Sequence, residues 1–138
     1  MKIKVRRLTD TAVIPTKGSE MSTGLNLYAD VRYPRMVGSH ETAAVGTGIA
    51  VDIPEGYYGV VFPVKEITGR GLRLAGCAGA VGPGDHSELM ISIHNSSEEI
   101  LSVSPGERLA MLCLIPCLQI ELEECGEFDR SGHDEEDM

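Results

Sequence analysis

The sequence predicts one all-β domain, a sandwich or a jelly-roll-like barrel. Three observations predict it: short apolar runs with period two, Gly and Pro turn signals between them, and no stretch with the period of a long amphipathic helix. A chain of 138 residues has length for one hydrophobic core and no more.

The elements follow in order. Residues 2–7 alternate charge with aliphatics and read as a strand. Gly24–Tyr28 puts Leu25 and Leu27 on one face with Asn26 opposite. Residues 49–53 run into Pro54-Glu55-Gly56, a turn by its chemistry, and residues 58–62 form the next strand. Residues 89–93 alternate Leu89, Ile91 and Ile93 against Met90, Ser92 and His94, after which Asn95-Ser96-Ser97 turns the chain. Pro105-Gly106 is another turn. Residues 109–115 are nearly all apolar and read as a strand buried on both faces. The domain spans residues 1–128, and residues 129–138 form an acidic tail expected to be mobile.

Composition excludes several functions. No apolar run approaches the roughly 20 residues that cross a bilayer, and the N-terminus has no apolar signal core. Cys77, Cys113, Cys117 and Cys125 form no CxxC pair, so they read as reduced thiols of a cytoplasmic protein, with no metal site. Of the net charge of −9, residues 121–138 carry −8 while the first twenty residues carry +3. An acidic tail repels phosphate, so the chain is not a general nucleic-acid binder.

Four segments go further. Gly46-Thr47-Gly48-Ile49-Ala50-Val51-Asp52-Ile53-Pro54-Glu55-Gly56-Tyr57-Tyr58-Gly59 closely resembles the segment leading into the active site of trimeric dUTPases. Leu89-Met90-Ile91-Ser92-Ile93-His94-Asn95 resembles the strand after their base-binding hairpin. Gly24-Leu25-Asn26-Leu27-Tyr28-Ala29 is similar to their first motif, and Pro105-Gly106-Glu107-Arg108-Leu109-Ala110-Met111-Leu112 to their fourth. The matches keep the family's order. The resemblance implies a jelly-roll homotrimer that hydrolyses dUTP to dUMP and pyrophosphate with Mg²⁺. It also implies sites built from several subunits and a C-terminal arm that closes over the triphosphate.

At the site residues this sequence departs from that pattern. Asn26 stands where the family has an Asp near the metal, and a neutral amide is a poorer partner for Mg²⁺. The phosphate-holding Pro-Arg-Ser-Gly is replaced by Pro63-Val64-Lys65-Glu66. Lys65 remains a phosphate candidate, as does Arg70 if Gly69-Arg70-Gly71 is a displaced version of the loop; that alignment needs compensating gaps, and an ordinary glycine turn is the preferred reading. Counting back from Asn95, the hairpin begins at Gly79, the water-orienting Asp falls on Gly82, and the sugar-stacking Tyr falls on Asp85. A positioned general base contributes typically about 10²–10⁴ in rate. Asp85 or His86 are the substitutes at hand, although Gly82-Pro83-Gly84 also reads as a plain tight turn. Arg108 is kept, but the family's Gln is Met111, whose thioether donates no hydrogen bond. The glycine-rich arm gives way to four consecutive carboxylates, Asp134-Glu135-Glu136-Asp137.

The resemblance therefore implies nucleotide-binding candidates at Lys65, Arg70, Gly79, Asp85, Asn95 and Arg108. No catalytic residue is assigned with Asn26, Gly82 and Met111 at the family-equivalent positions. The leading expectation is a dUTPase-fold protein that acts by binding a nucleotide or a protein partner. The alternative is a diphosphatase with a remodelled site for dUTP or a modified pyrimidine nucleotide, using Mg²⁺. A deaminase of the related dCTP branch is a third class, but no segment matches its catalytic Glu.

Overall fold

The computed structural model describes residues 1–18, 24–75 and 80–128. Among the described residues, twelve strands and one helical turn make up the fold, in the order β1 Lys4–Arg7, β2 Thr16–Lys17, β3 Gly24–Tyr28, β4 Arg35–Val37, β5 Thr42–Gly46, β6 Ile49–Asp52, β7 Tyr57–Pro63, α1 Lys65–Thr68, β8 Leu72–Leu74, β9 Ala80–Val81, β10 Met90–Asn95, β11 Leu101–Val103 and β12 Arg108–Pro116. All pairings are antiparallel. The largest sheet has the order β2-β3-β12-β7-β9; a three-stranded sheet β5-β10-β8 and the ribbons β1-β6 and β11-β4 complete the roll, and they share one buried core. The expected all-β roll is what forms.

The core is aliphatic, as a chain without Trp and with two Phe requires. Leu27, Ile49, Ile53, Ile67, Leu72, Ile93, Leu109 and Leu112 are fully buried. In β10 the alternation holds, with Ile91 and Ile93 inside and Met90 and Ser92 outside. In β12 the structure departs from the expectation of burial on both faces. Leu112 is buried between Leu25 and Val61, but Met111, Cys113 and Ile115 on the other face are only half-buried within one chain.

Two tight turns share one device. Ser104-Pro105-Gly106-Glu107 closes through Glu107 N donating to Ser104 O at 3.1 Å, and Gly82-Pro83-Gly84-Asp85 through Asp85 N donating to Gly82 O at 3.2 Å. Proline presets the second position, and Gly106 and Gly84 take positive φ at the third (76° and 83°). The Gly69-Arg70-Gly71 stretch is the turn that ends α1, with Gly71 N donating to Thr68 O at 3.2 Å.

Candidate functional site

The central sheet assembles half of the expected site. Strand register places Asn26 beside Met111 and Met111 beside Phe62, so the first and fourth motifs share one row on the sheet's outer face. Thr16 pairs with Asn26 at the other end of that row. Asn26 is buried, and its Nδ2 donates to Thr16 Oγ1 at 3.2 Å, while Thr16 Oγ1 also lies 2.5 Å from the Tyr28 hydroxyl. The amide is thus tied into a local polar cluster. Met111 fills the space over Gly24, where an added Cβ would meet its sulfur at 3.2 Å.

Helix α1 sits at the end of β7 and carries the second motif. Val64 and Ile67 are buried anchors, which turns Lys65 and Glu66 outward. Glu66 receives Arg108, whose Nη1 donates to Glu66 Oε1 at 3.2 Å. Arg108 Nε is buried without a hydrogen-bond partner among the described residues. Arg70 is held more fully. Its Nη1 donates to Ser102 O at 2.9 Å and its Nη2 to Glu107, whose other oxygen accepts from Ser104 N at 2.9 Å. Both arginines named as phosphate candidates are therefore paired with carboxylates of this chain.

The hairpin lies elsewhere. β9 pairs with β7 so that Val81 meets Gly59 and Ala80 meets Val60. Continuing that register puts Gly82 opposite Tyr58. Tyr58 and Phe62 are separated along β7 by about 13 Å at the usual strand rise. One chain does not bring Gly82 to Asn26. Gly79 lies outside the described residues, as does the acidic tail from residue 129.

Past the turn, Asp85 Oδ1 accepts from Ser87 N at 3.1 Å and from Ser87 Oγ at 2.5 Å. The Ser87 hydroxyl, then its backbone amide, hold the Asp85 carboxyl below its ordinary value of 3.8. It is fully exposed, lines a small hollow of about 220 Å³ with Val61, Val81 and Glu88, and is ionised at neutral pH. His86 points away to Asp52, with Nε2 at 2.8 Å from Oδ1, and borders a separate cleft of about 510 Å³ beside Lys4 and Arg6. Asn95 is fully buried and spends its side chain on the backbone. Nδ2 donates to Val37 O at 2.9 Å and Glu99 O at 2.7 Å, and Oδ1 accepts from Ser97 N at 2.9 Å and Ser97 Oγ at 2.7 Å. It is a turn anchor facing inward.

Sequence reasoning missed Glu66, Glu107, Thr16, Asp52 and Ser87. Only Ser87 had a legible signal, because Asp-X-Ser is a local side-chain-to-backbone turn pattern. Among the described residues no three His, Cys, Asp or Glu side chains converge on a metal position. With Asn26 tied to Thr16, these residues do not fit a Mg²⁺ held by the protein alone.

Fold and site together define an antiparallel all-β roll with a polar cluster around Asn26 on its central sheet and paired arginines at the end of β7. The dUTPase family model matches residues 10–138, and the chain belongs to the dUTPase family. The deoxyuridine 5'-triphosphate nucleotidohydrolase of Legionella pneumophila is 32% identical over 137 residues, covering 98% of this chain and 90% of that protein. The corresponding protein of Syntrophotalea carbinolica is 35% identical over 134 residues, covering 96% and 91%. Among solved structures, the dUTPase of Staphylococcus bacteriophage 80alpha aligns with TM-score 0.84 at 22% identity, covering 93% of this chain and 98% of that one. These relatives support the diphosphatase alternative more than the binding reading. No helix among the described residues is long and apolar enough to cross a membrane.

Proposed function

We propose that this chain is a dUTPase-type nucleotide diphosphatase with a remodelled site, splitting a pyrimidine deoxynucleoside triphosphate into its monophosphate and pyrophosphate. The observation that carries the reading is the likeness to nucleotidohydrolases over nearly the whole chain. The working unit is a homotrimer, because the polar row on the central sheet and the hairpin lie too far apart in one chain. The half-buried face of Met111, Cys113 and Ile115 is the surface a second copy covers.

In this reading Asp85 orients the attacking water in place of a carboxylate at Gly82. It is ionised, steadied through one oxygen by Ser87, and its other oxygen has no partner among the described residues. A divalent cation, if used, would be held through the substrate phosphates, where it would offset their negative charge. A substitute base that is less well placed gives up part of the about 10²–10⁴ that a positioned base contributes, so turnover falls at or below the low end of the ordinary range of about 1–10³ s⁻¹. The test is pyrophosphate release from dUTP, dCTP and 5-substituted pyrimidine triphosphates with Mg²⁺. Turnover of at least one, abolished in Asp85→Asn, supports the reading; no turnover of any refutes it.

A second reading is favoured by one feature, the Gly82–Asp85 turn, which closes without any carboxylate at the water-orienting position. The protein then acts by holding a nucleotide or a protein partner. The 80alpha phage dUTPase of similar fold is described as controlling transfer of virulence genes. A nucleotide that raises the melting temperature without being turned over is its signature.

A further inference from the structure

We propose that Glu66 is a built-in counter-anion that occupies Arg108 until a phosphate displaces it, and so sets how much negative charge the site admits. The inference rests on the nucleotide reading above but concerns a residue that reading does not use. It starts from the two anchors of α1. Val64 and Ile67 are buried, so the helical turn is fixed on the roll and Glu66 is fixed above the first residue of β12. Arg108 reaches it with a single hydrogen bond of 3.2 Å.

That engagement is incomplete. An arginine offers a planar fork that suits two oxygens of one anion at once. Glu66 takes only Nη1, while Nε is shielded from solvent with no partner among the described residues. With Nε shielded, the edge open to a bidentate anion is Nη1–Nη2, and the Glu66 carboxylate holds only its Nη1 end, so an anion that takes both nitrogens must displace it. The pair is also weak enough to open. Its side chains are 36% and 55% exposed, and exposed ion pairs contribute little.

Arg70 supplies the contrast. It is fastened by a backbone carbonyl and by Glu107, which is itself bound to Ser104 N and is mostly buried at 21% exposure. Two anchors on one guanidinium leave it a strut between β11 and the turn before β12. Of the two arginines, Arg108 is the one a ligand can claim, and Glu66 is what it must displace.

The experiment is calorimetric titration of the full chain, in EDTA, with inorganic pyrophosphate and separately with α,β-imido-dUTP. The variants are Glu66→Gln, Arg108→Gln and the double variant, each checked for native circular dichroism. Neutralising Glu66 is expected to tighten pyrophosphate binding about five-fold. Arg108→Gln is expected to weaken it, and adding Glu66→Gln to Arg108→Gln is expected to bring no gain, because the two residues act as a coupled pair. Equal, weaker or undetectable binding of pyrophosphate by Glu66→Gln overturns the proposal, as does an equal gain in the Arg108→Gln background. Pyrophosphate carries no base. A pyrophosphate effect without any binding of the imido nucleotide supports the Glu66 role and sinks the nucleotide reading alone.

Discussion

Replacing Asn95 by Ala tests whether this residue builds the fold or waits for a ligand. The side chain makes four hydrogen bonds, two as donor to Val37 O and Glu99 O and two as acceptor from Ser97. Only the Val37 carbonyl is in a fully buried contact. Leaving a buried acceptor unmade costs about 1–3 kcal/mol, and an ordinary hydrogen bond contributes about 0.5–1.5 kcal/mol. Glu99 O and Ser97 lie nearer water, which recovers part of their loss. The sum is about 3–4 kcal/mol, a large share of a typical folding stability of about 5–15 kcal/mol. For a domain of this size that lowers the melting temperature by about 10–15 °C. The assay is calorimetry at fixed protein concentration, since assembly makes the midpoint concentration-dependent. Ser92→Ala, on the exposed face of the same strand, is the control and should stay within about 2 °C. A shift under about 2 °C for Asn95→Ala would refute the anchoring role, and loss of nucleotide binding without loss of stability would return Asn95 to the ligand site.

Other expectations follow from the same geometry. Gly82→Asp should fold normally, because a Cβ there meets nothing within 4 Å; pyrophosphate release should rise by less than the full 10² of a well-placed base, since Asn26, Met111 and Glu66 are unchanged, and a fully restored rate would show that Gly82 was the sole defect. The pH–rate profile should stay flat down to below the ordinary carboxylate value, because Ser87 lowers Asp85 and the active, ionised form is lost only as pH falls through that lowered value. An acid limb above the ordinary carboxylate value would rule Asp85 out as the base. Light scattering should give three times the chain mass of 14.8 kDa, and a stable monomer at micromolar concentration would sink the trimer. Deleting residues 130–138 should leave the melting temperature within about 2 °C, given a composition too acidic to bury apolar surface; a drop of many degrees would place the tail in the fold.

What the sequence revealed, and what it hid, divides along physical lines. Strands that carry their own alternation were legible to within a residue or two: Gly24–Tyr28, Ile49–Asp52 and Met90–Asn95 sit where the pattern put them. β5, with its Thr-Ala-Ala-Val-Gly run, was not, because small residues give no period and the strand exists by pairing with β10. The two-residue strands β2 and β9 and the single turn α1 are likewise products of their neighbours. At the site, residue type alone says that Gly82 offers no carboxylate and Met111 no hydrogen-bond donor, while their match to family positions rests on the resemblance. The internal partners of Arg70 and Arg108 could not, since Glu107 and Glu66 reach them across turns of the fold that no local pattern encodes.

The separation of the hairpin from the Asn26–Met111 row has a consequence for inheritance of function. Two chains, one crippled at Asp85 and the other at Arg108, carry their lesions in different halves of the site. In the proposed trimer, an intact hairpin from one chain can face an intact row from the other, so mixed assemblies should recover work that neither homotrimer performs. A copy broken in both halves should spoil two of the three sites, because its hairpin and its row serve different ones.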